Sequence, residues 1–138
     1  MTVRPEVIER RLNKLNEYIE ILQSIQKYSL DEFISTPEYY CSAERFLQLA
    51  IETTIDIGNH IVSDMDLGKV RWSSDIPSIL EEKGIIPLNL RETWIKMIGF
   101  RNLLVHDYLD IERETVYEIL QEKLTDLIAL GKVFARFL

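Results

Sequence analysis

A chain of 138 residues with 46% hydrophobic and 28% charged side chains has the size of one domain, taken as residues 1–138, and enough apolar material for a core of its own. Its formal net charge of −7 argues against a general nucleic-acid binder, which carries a basic face, but leaves room for a local site where the few cations gather, or for a basic partner. No apolar run is long enough to cross a bilayer, and the opening Met1-Thr2-Val3-Arg4-Pro5-Glu6 lacks the charged-then-apolar order of a signal peptide, so a cytoplasmic protein without membrane association is expected.

The apolar pattern is helical nearly throughout, with no useful strand-like alternation and no repeat. A first helix is expected from about Pro5 to Tyr28. Ile8, Leu12, Leu15, Ile19 and Leu22 alternate spacings of four and three, which makes one stripe. Asp31 to Ile34 reads as a short turn. Thr36-Pro37-Glu38 then combines a capping hydroxyl, a proline at the first turn and an acid favoured by the helix dipole. Cys41, the single cysteine, follows Tyr39-Tyr40; it excludes an intrachain disulfide or a cysteine metal cluster and is expected to be packed and inert. The second long helix carries Ala43, Phe46, Leu47, Ala50, Thr54, Ile57 and Ile61 on one side, and Leu49, Ile51, Ile55 and Val62 are apolar too. That is wider than one core-facing stripe requires, so the helix is either central in the fold or also faces another subunit.

Lys69 to Ser74 reads as a loop, and Asp75-Ile76-Pro77 starts a short helix stopped at Lys83-Gly84. Pro87 starts a further helix through Trp94 and Met97 to about Leu104 or His106. Asp110 is placed to cap the last one, whose stripe is Val116, Leu120, Leu124, Leu127, Gly131, Phe134 and Leu138. The expected architecture is an all-α bundle of four main helices plus one or two short ones. Gly58 and Gly99 fall inside helical patterns, where glycine costs about 1 kcal/mol against alanine; each marks either a close approach or a tolerated small residue.

The chemistry concentrates in Gly99-Phe100-Arg101-Asn102-Leu103-Leu104-Val105-His106-Asp107-Tyr108. His106, one of two histidines, is the natural proton-transfer group near neutral pH, and the planar fork of Arg101 matches phosphate. At about 100° per residue Asn102 and His106 share a helix face, and Tyr108 joins them only if the helix ends near His106. Together they point to phosphate-ester chemistry without a metal. The competing reading is a set of polar residues complementing a helix end.

Arg101, four intervening residues, His106, one residue and Tyr108 resemble the R-X4-H-X-Y motif of HEPN-domain ribonucleases, and Asn102 directly after the arginine fits it too. Beyond the motif, Glu44-Arg45-Phe46-Leu47-Gln48-Leu49-Ala50-Ile51-Glu52, Asp56-Ile57-Gly58-Asn59-His60 and Ile85-Ile86-Pro87 resemble HepT, the toxin of the HepT/MntA toxin–antitoxin systems, over nearly the whole chain. The resemblance implies a HEPN-like bundle acting as a homodimeric endoribonuclease on RNA, needing no metal or cofactor, with two motif copies across the dimer cleft. It makes His106 the general acid/base, Arg101 the phosphate ligand, Asn102 an orienting group, and Tyr108 the residue that a MntA-like nucleotidyltransferase antitoxin modifies with AMP. The alternative is a non-catalytic interaction or nucleotide-binding module with the same partner.

Other candidates carry less. Asp56 and His60 are helix neighbours expected to bond each other. Glu52, Asp56 and Asn59 form an acidic stripe without a compact ligand set for a metal. Glu81, Glu82, Glu112 and Glu114 read as solvated. Trp72 and Trp94 read as core or interface anchors rather than base-stacking platforms.

Overall fold

The computed structural model describes residues 2–106 and 111–138. These form seven helices and no strand: α1 (Pro5–Ile25), α2 (Leu30–Ser35), α3 (Pro37–Asp64), α4 (Asp75–Glu82), α5 (Leu88–His106), α6 (Arg113–Glu122) and α7 (Leu124–Ala135). The expected all-α bundle is present, with α2 and α4 as its short members.

α1 opens on Pro5 and buries Ile8, Leu12, Leu15, Ile19, Leu22 and Ile25, the anticipated stripe extended by one residue. The segment expected as a mere turn is the helix α2 because Ser29 and Glu32 form a capping box. The amide of Glu32 donates to Ser29 Oγ at 3.2 Å, and that of Ser29 donates to Glu32 Oε1 at 3.1 Å. Thr36 caps α3 by position only, since its hydroxyl makes no capping bond. Gly84 ends the turn after α4 at φ +74°, where a side chain would be strained.

α3 packs against all six other helices. Leu47, Ile51, Ile57, Ile61 and Val62 are buried within the subunit, each contributing about 1.5–3 kcal/mol. Ile51 and Val62 thus account inside one chain for part of the breadth of its apolar face, whereas Leu49 and Ile55 stay half-buried. Cys41, expected to be packed, is exposed: two positions before Ala43, it points away from the Ala43–Leu47–Ala50 line.

α5 is fixed on α3 by Trp94, which is fully buried. Its indole Nε1 donates to Thr54 Oγ1 at 2.9 Å, and its ring meets Phe134 edge-on with centroids 5.8 Å apart. Gly58 makes that packing possible. A Cβ there would lie 2.6 Å from Ile76 Cγ2 and 2.9 Å from Trp94 Cη2, whereas one at Gly99 would meet nothing within 4 Å. The two glycines therefore answer differently: the first is a close approach, the second a tolerated small residue.

The last main helix is split. Lys123 ends α6 and precedes α7. In an unbroken helix the carbonyl of Leu120 would accept from Leu124; here it accepts from Gln26 Nε2 at 3.0 Å, while Gln121 Nε2 donates to the carbonyl of Gln26 at 2.9 Å. A side chain inserted into the hydrogen-bond ladder is a sufficient cause of the break. α6 takes Glu112 as its N-cap residue; Asp110, the expected cap, lies outside the described residues.

Candidate functional site

Buried Trp94, Met97, Ile98 and Phe100 hold α5 against the bundle and leave the turn after Phe100 at the surface. Arg101 follows as a half-buried side chain, and Asn102 and His106, four apart on one face, are exposed. All three line one open pocket of about 460 Å³, whose far wall is Trp72, Ser73 and Ser74 from the loop before α4. Thus the structure brings together Arg101, Asn102 and His106. Tyr108 lies outside the described residues.

The opposing wall is shaped by Asp75. Its Oδ2 accepts the amides of Trp72 and Arg71, both at 2.9 Å, and its own amide donates to the carbonyl of Trp72 at 2.9 Å. The amide of Trp72, then that of Arg71, hold the Asp75 carboxyl below its ordinary value near 3.8; partial desolvation opposes them, and the charge of Arg71 assists. In the sequence Ser73 and Ser74 stand out only as loop residues. Their proximity to His106 is long-range, and the one local hint was a pair of hydroxyls ahead of the Asp75-Ile76-Pro77 helix start.

Arg101 is the pivot of the site. Its Nε is enclosed and has no hydrogen-bond partner among the described residues. The same side chain lines a second pocket of about 330 Å³, floored by Glu52, Asp56 and Asn59 of α3 and shared with Trp72 and Arg71. A fixed cation, an imidazole, an amide and two hydroxyls around one opening can bind a phosphate and move a proton at its ester oxygens.

The remaining candidates are structural. His60 Nδ1 accepts from Arg4 at 3.5 Å, and its Nε2 lies 3.7 Å from Asp56, which also pairs with Arg11. Arg4 further pairs with Asp64 at 3.3 Å, so the group ties the start of α1 to α3. Burial opposes the charge of Asp64, but the hydrogen bonds and charge of Arg4 outweigh it and keep that carboxyl below its ordinary range. Glu81 is not simply solvated: Arg91 donates to it at 3.1 Å. Trp94 is core, whereas Trp72 is 73% exposed. Among the described residues no three His, Cys, Asp or Glu side chains converge as a metal site, and no helix is long and apolar enough to cross a membrane.

The family model for ribonuclease HepT-like proteins matches residues 15–133. The chain belongs to that family. It is 33% identical over 115 residues to the tRNA nuclease HepT of Aphanizomenon flos-aquae, an alignment covering 83% of this chain and 78% of that protein. To the mRNA nuclease HepT of Shewanella oneidensis it is 36% identical over 80 residues, covering 58% and 60% of the two chains. Its fold superposes with a TM-score of 0.87 on the tri-AMPylated HEPN toxin of Shewanella oneidensis, solved in complex with its MNT antitoxin, at 27% identity over 94% of this chain and 97% of that one. The HepT-like family thus supplies both the nuclease relatives and the all-α architecture. The pocket bearing Arg101, Asn102 and His106 lies within the matched residues.

Proposed function

We propose that this HepT-like chain is a metal-independent endoribonuclease toxin that cleaves RNA at Arg101 and His106 and is silenced by a nucleotidyltransferase antitoxin. The observation that carries the reading is the shared pocket, which sets the phosphate-binding guanidinium and the imidazole around one opening. The nucleophile comes from the substrate. The ribose 2′-oxygen attacks the neighbouring phosphorus, the bond to the 5′-oxygen breaks, and a cyclic phosphate remains. One His106 takes the 2′-proton and a second, from the facing copy, gives a proton to the leaving 5′-oxygen. Arg101 binds the phosphate and balances the charge that grows on its non-bridging oxygens, and Asn102 orients imidazole or phosphate.

The second copy meets the first along α5. Gly99, Leu103 and His106 recur on one face, Gly99 is open, and Leu103 is 51% exposed beside Asn102. A two-fold contact there would cover the apolar leucines and bring the two motifs together. The antitoxin acts through Tyr108. The solved Shewanella toxin is tri-AMPylated; carried over, AMP on Tyr108 would add to the motif a phosphate that competes with the substrate phosphate for Arg101, and a nucleoside that competes with the RNA.

The test is RNA incubated with the pure protein in EDTA beside the His106→Ala variant. Cleavage by the parent that the variant has lost supports the reading. Activity that needs a divalent ion, or equal cleavage by both proteins, refutes it and favours a binding module.

A further inference from the structure

The second pocket has no part in the bond-breaking steps, yet it shares Arg101 and Trp72 with the pocket that does. Trp72 is the most exposed of the large apolar side chains described, at 73%, but its backbone is pinned by Asp75. An indole carried on a fixed backbone and open to solvent is a surface on which a nucleobase stacks. Below it, Glu52, Asp56 and Asn59 form an i, i+4, i+7 stripe of α3. Asp56 is engaged by Arg11, and one Glu52 oxygen by Gln48 Nε2 at 3.0 Å; the second Glu52 oxygen and the Asn59 amide make no side-chain hydrogen bond among the described residues. Such a floor suits a base edge rich in N–H donors, and guanine offers two adjacent ones that match a carboxylate. Arg71 and Arg101 stand at the rim, where a phosphate backbone crossing from one pocket to the other would pass.

We propose that the pocket between Trp72 and Glu52 is a nucleobase subsite, which holds the base next to the scissile phosphate and favours guanine over uracil. The proposal rests on the ribonuclease reading and goes beyond it by making Trp72 and Glu52 specificity-determining residues.

The experiment uses the full chain carrying His106→Ala, so that RNA is bound without being cut, and short single-stranded RNAs that differ at one guanine or uracil. Trp94 is buried, so iodide quenching of tryptophan fluorescence reports Trp72. Guanine-containing RNA should shield Trp72 from iodide. Trp72→Ala should weaken binding roughly 5- to 150-fold, and Trp72→Phe should recover most of it because a ring still stacks. Glu52→Gln should bring the guanine-to-uracil affinity ratio close to one. Circular dichroism checks that each variant is folded. RNA binding by Trp72→Ala within twofold of the parent overturns the subsite, and so does a Trp72 already shielded without RNA, which would mean that a second copy or another protein covers it. In either case cleavage by the His106-containing chain stands, so the ribonuclease reading survives. Absence of any RNA binding or cleavage by that chain removes both.

Discussion

Gly58 offers the sharpest test of how α5 is carried. Replacing it with alanine in an exposed helix would stabilise the chain by about 1 kcal/mol through propensity. Here the new methyl would stand 2.6 Å from Ile76 Cγ2 and 2.9 Å from Trp94 Cη2. Neither atom can yield easily. Ile76 is 1% exposed and branched at Cβ, and the indole of Trp94 is fully buried and fixed by its bond to Thr54. Overpacking of this kind costs about 1–3 kcal/mol, which exceeds the propensity gain. A net loss of about 1 kcal/mol is expected, a fall in Tm of about 3–5 °C for a chain of this size. Thermal unfolding followed by circular dichroism measures it, with Gly99→Ala as the contrast. That glycine has open space within its own chain, so alanine there should raise Tm at dilutions where the chain is monomeric. A loss that appears only at the higher concentrations where the chain pairs would show that the second copy closes on Gly99. A Gly58→Ala protein as stable as the parent, or more so, would refute the claim that this glycine is required by packing.

Four further outcomes are expected. His106→Ala and Arg101→Ala should each lower the RNA cleavage rate by about two to four orders of magnitude with Tm unchanged, as single-turnover kinetics and calorimetry would show. Asp75 has its native carboxyl held below 3.8, so its contribution is fully present above that value and is lost as pH falls through the lower native one; the Tm difference between parent and Asp75→Ala should be constant near neutrality and close below about pH 4. Sedimentation equilibrium at micromolar concentration should give twice the chain mass of 16.2 kDa, and a monomer alone would remove the two-fold cleft. Co-expression with the cognate nucleotidyltransferase should add AMP to the peptide containing Tyr108 and stop cleavage. Equal inhibition of Tyr108→Phe would place the control elsewhere.

Much of this fold is legible in the chain because its causes are local. The stripe from Ile8 to Leu22 sets α1, prolines 5, 37 and 87 mark helix starts, and Lys83-Gly84 marks a stop. What escapes a linear reading is decided by distant partners. The break at Lys123 depends on Gln26, which is 94 positions from the Leu120 carbonyl it binds. The apolar breadth of α3 was compatible with either a central helix or a subunit interface, and only the packing of six neighbours assigns Leu47, Ile51 and Val62 to the interior. The site divides in the same way. Arg101, Asn102 and His106 lie on one helical turn or just beyond and announce themselves by type and spacing. Trp72, Ser73 and Ser74 face them only through the fold, and Trp72 as an isolated apolar residue reads equally well as an anchor.

Phe100 is the last side chain of α5 buried in the core, and Arg101 comes next. The end of the helix is therefore an overhang tied along one edge: it is clamped at Trp94 and Phe100, Leu104 still packs against the core, and Asn102, Leu103 and His106 face outward. Side chains on an overhang can be exchanged without loosening what holds the beam, so catalytic repertoire and thermal endurance become separable traits in this architecture. The same overhang gives an inhibitor a handle. On the proposed reading, a modifying enzyme would grip the tip while the bundle beneath stays shut, and the activity would be switched off without unfolding.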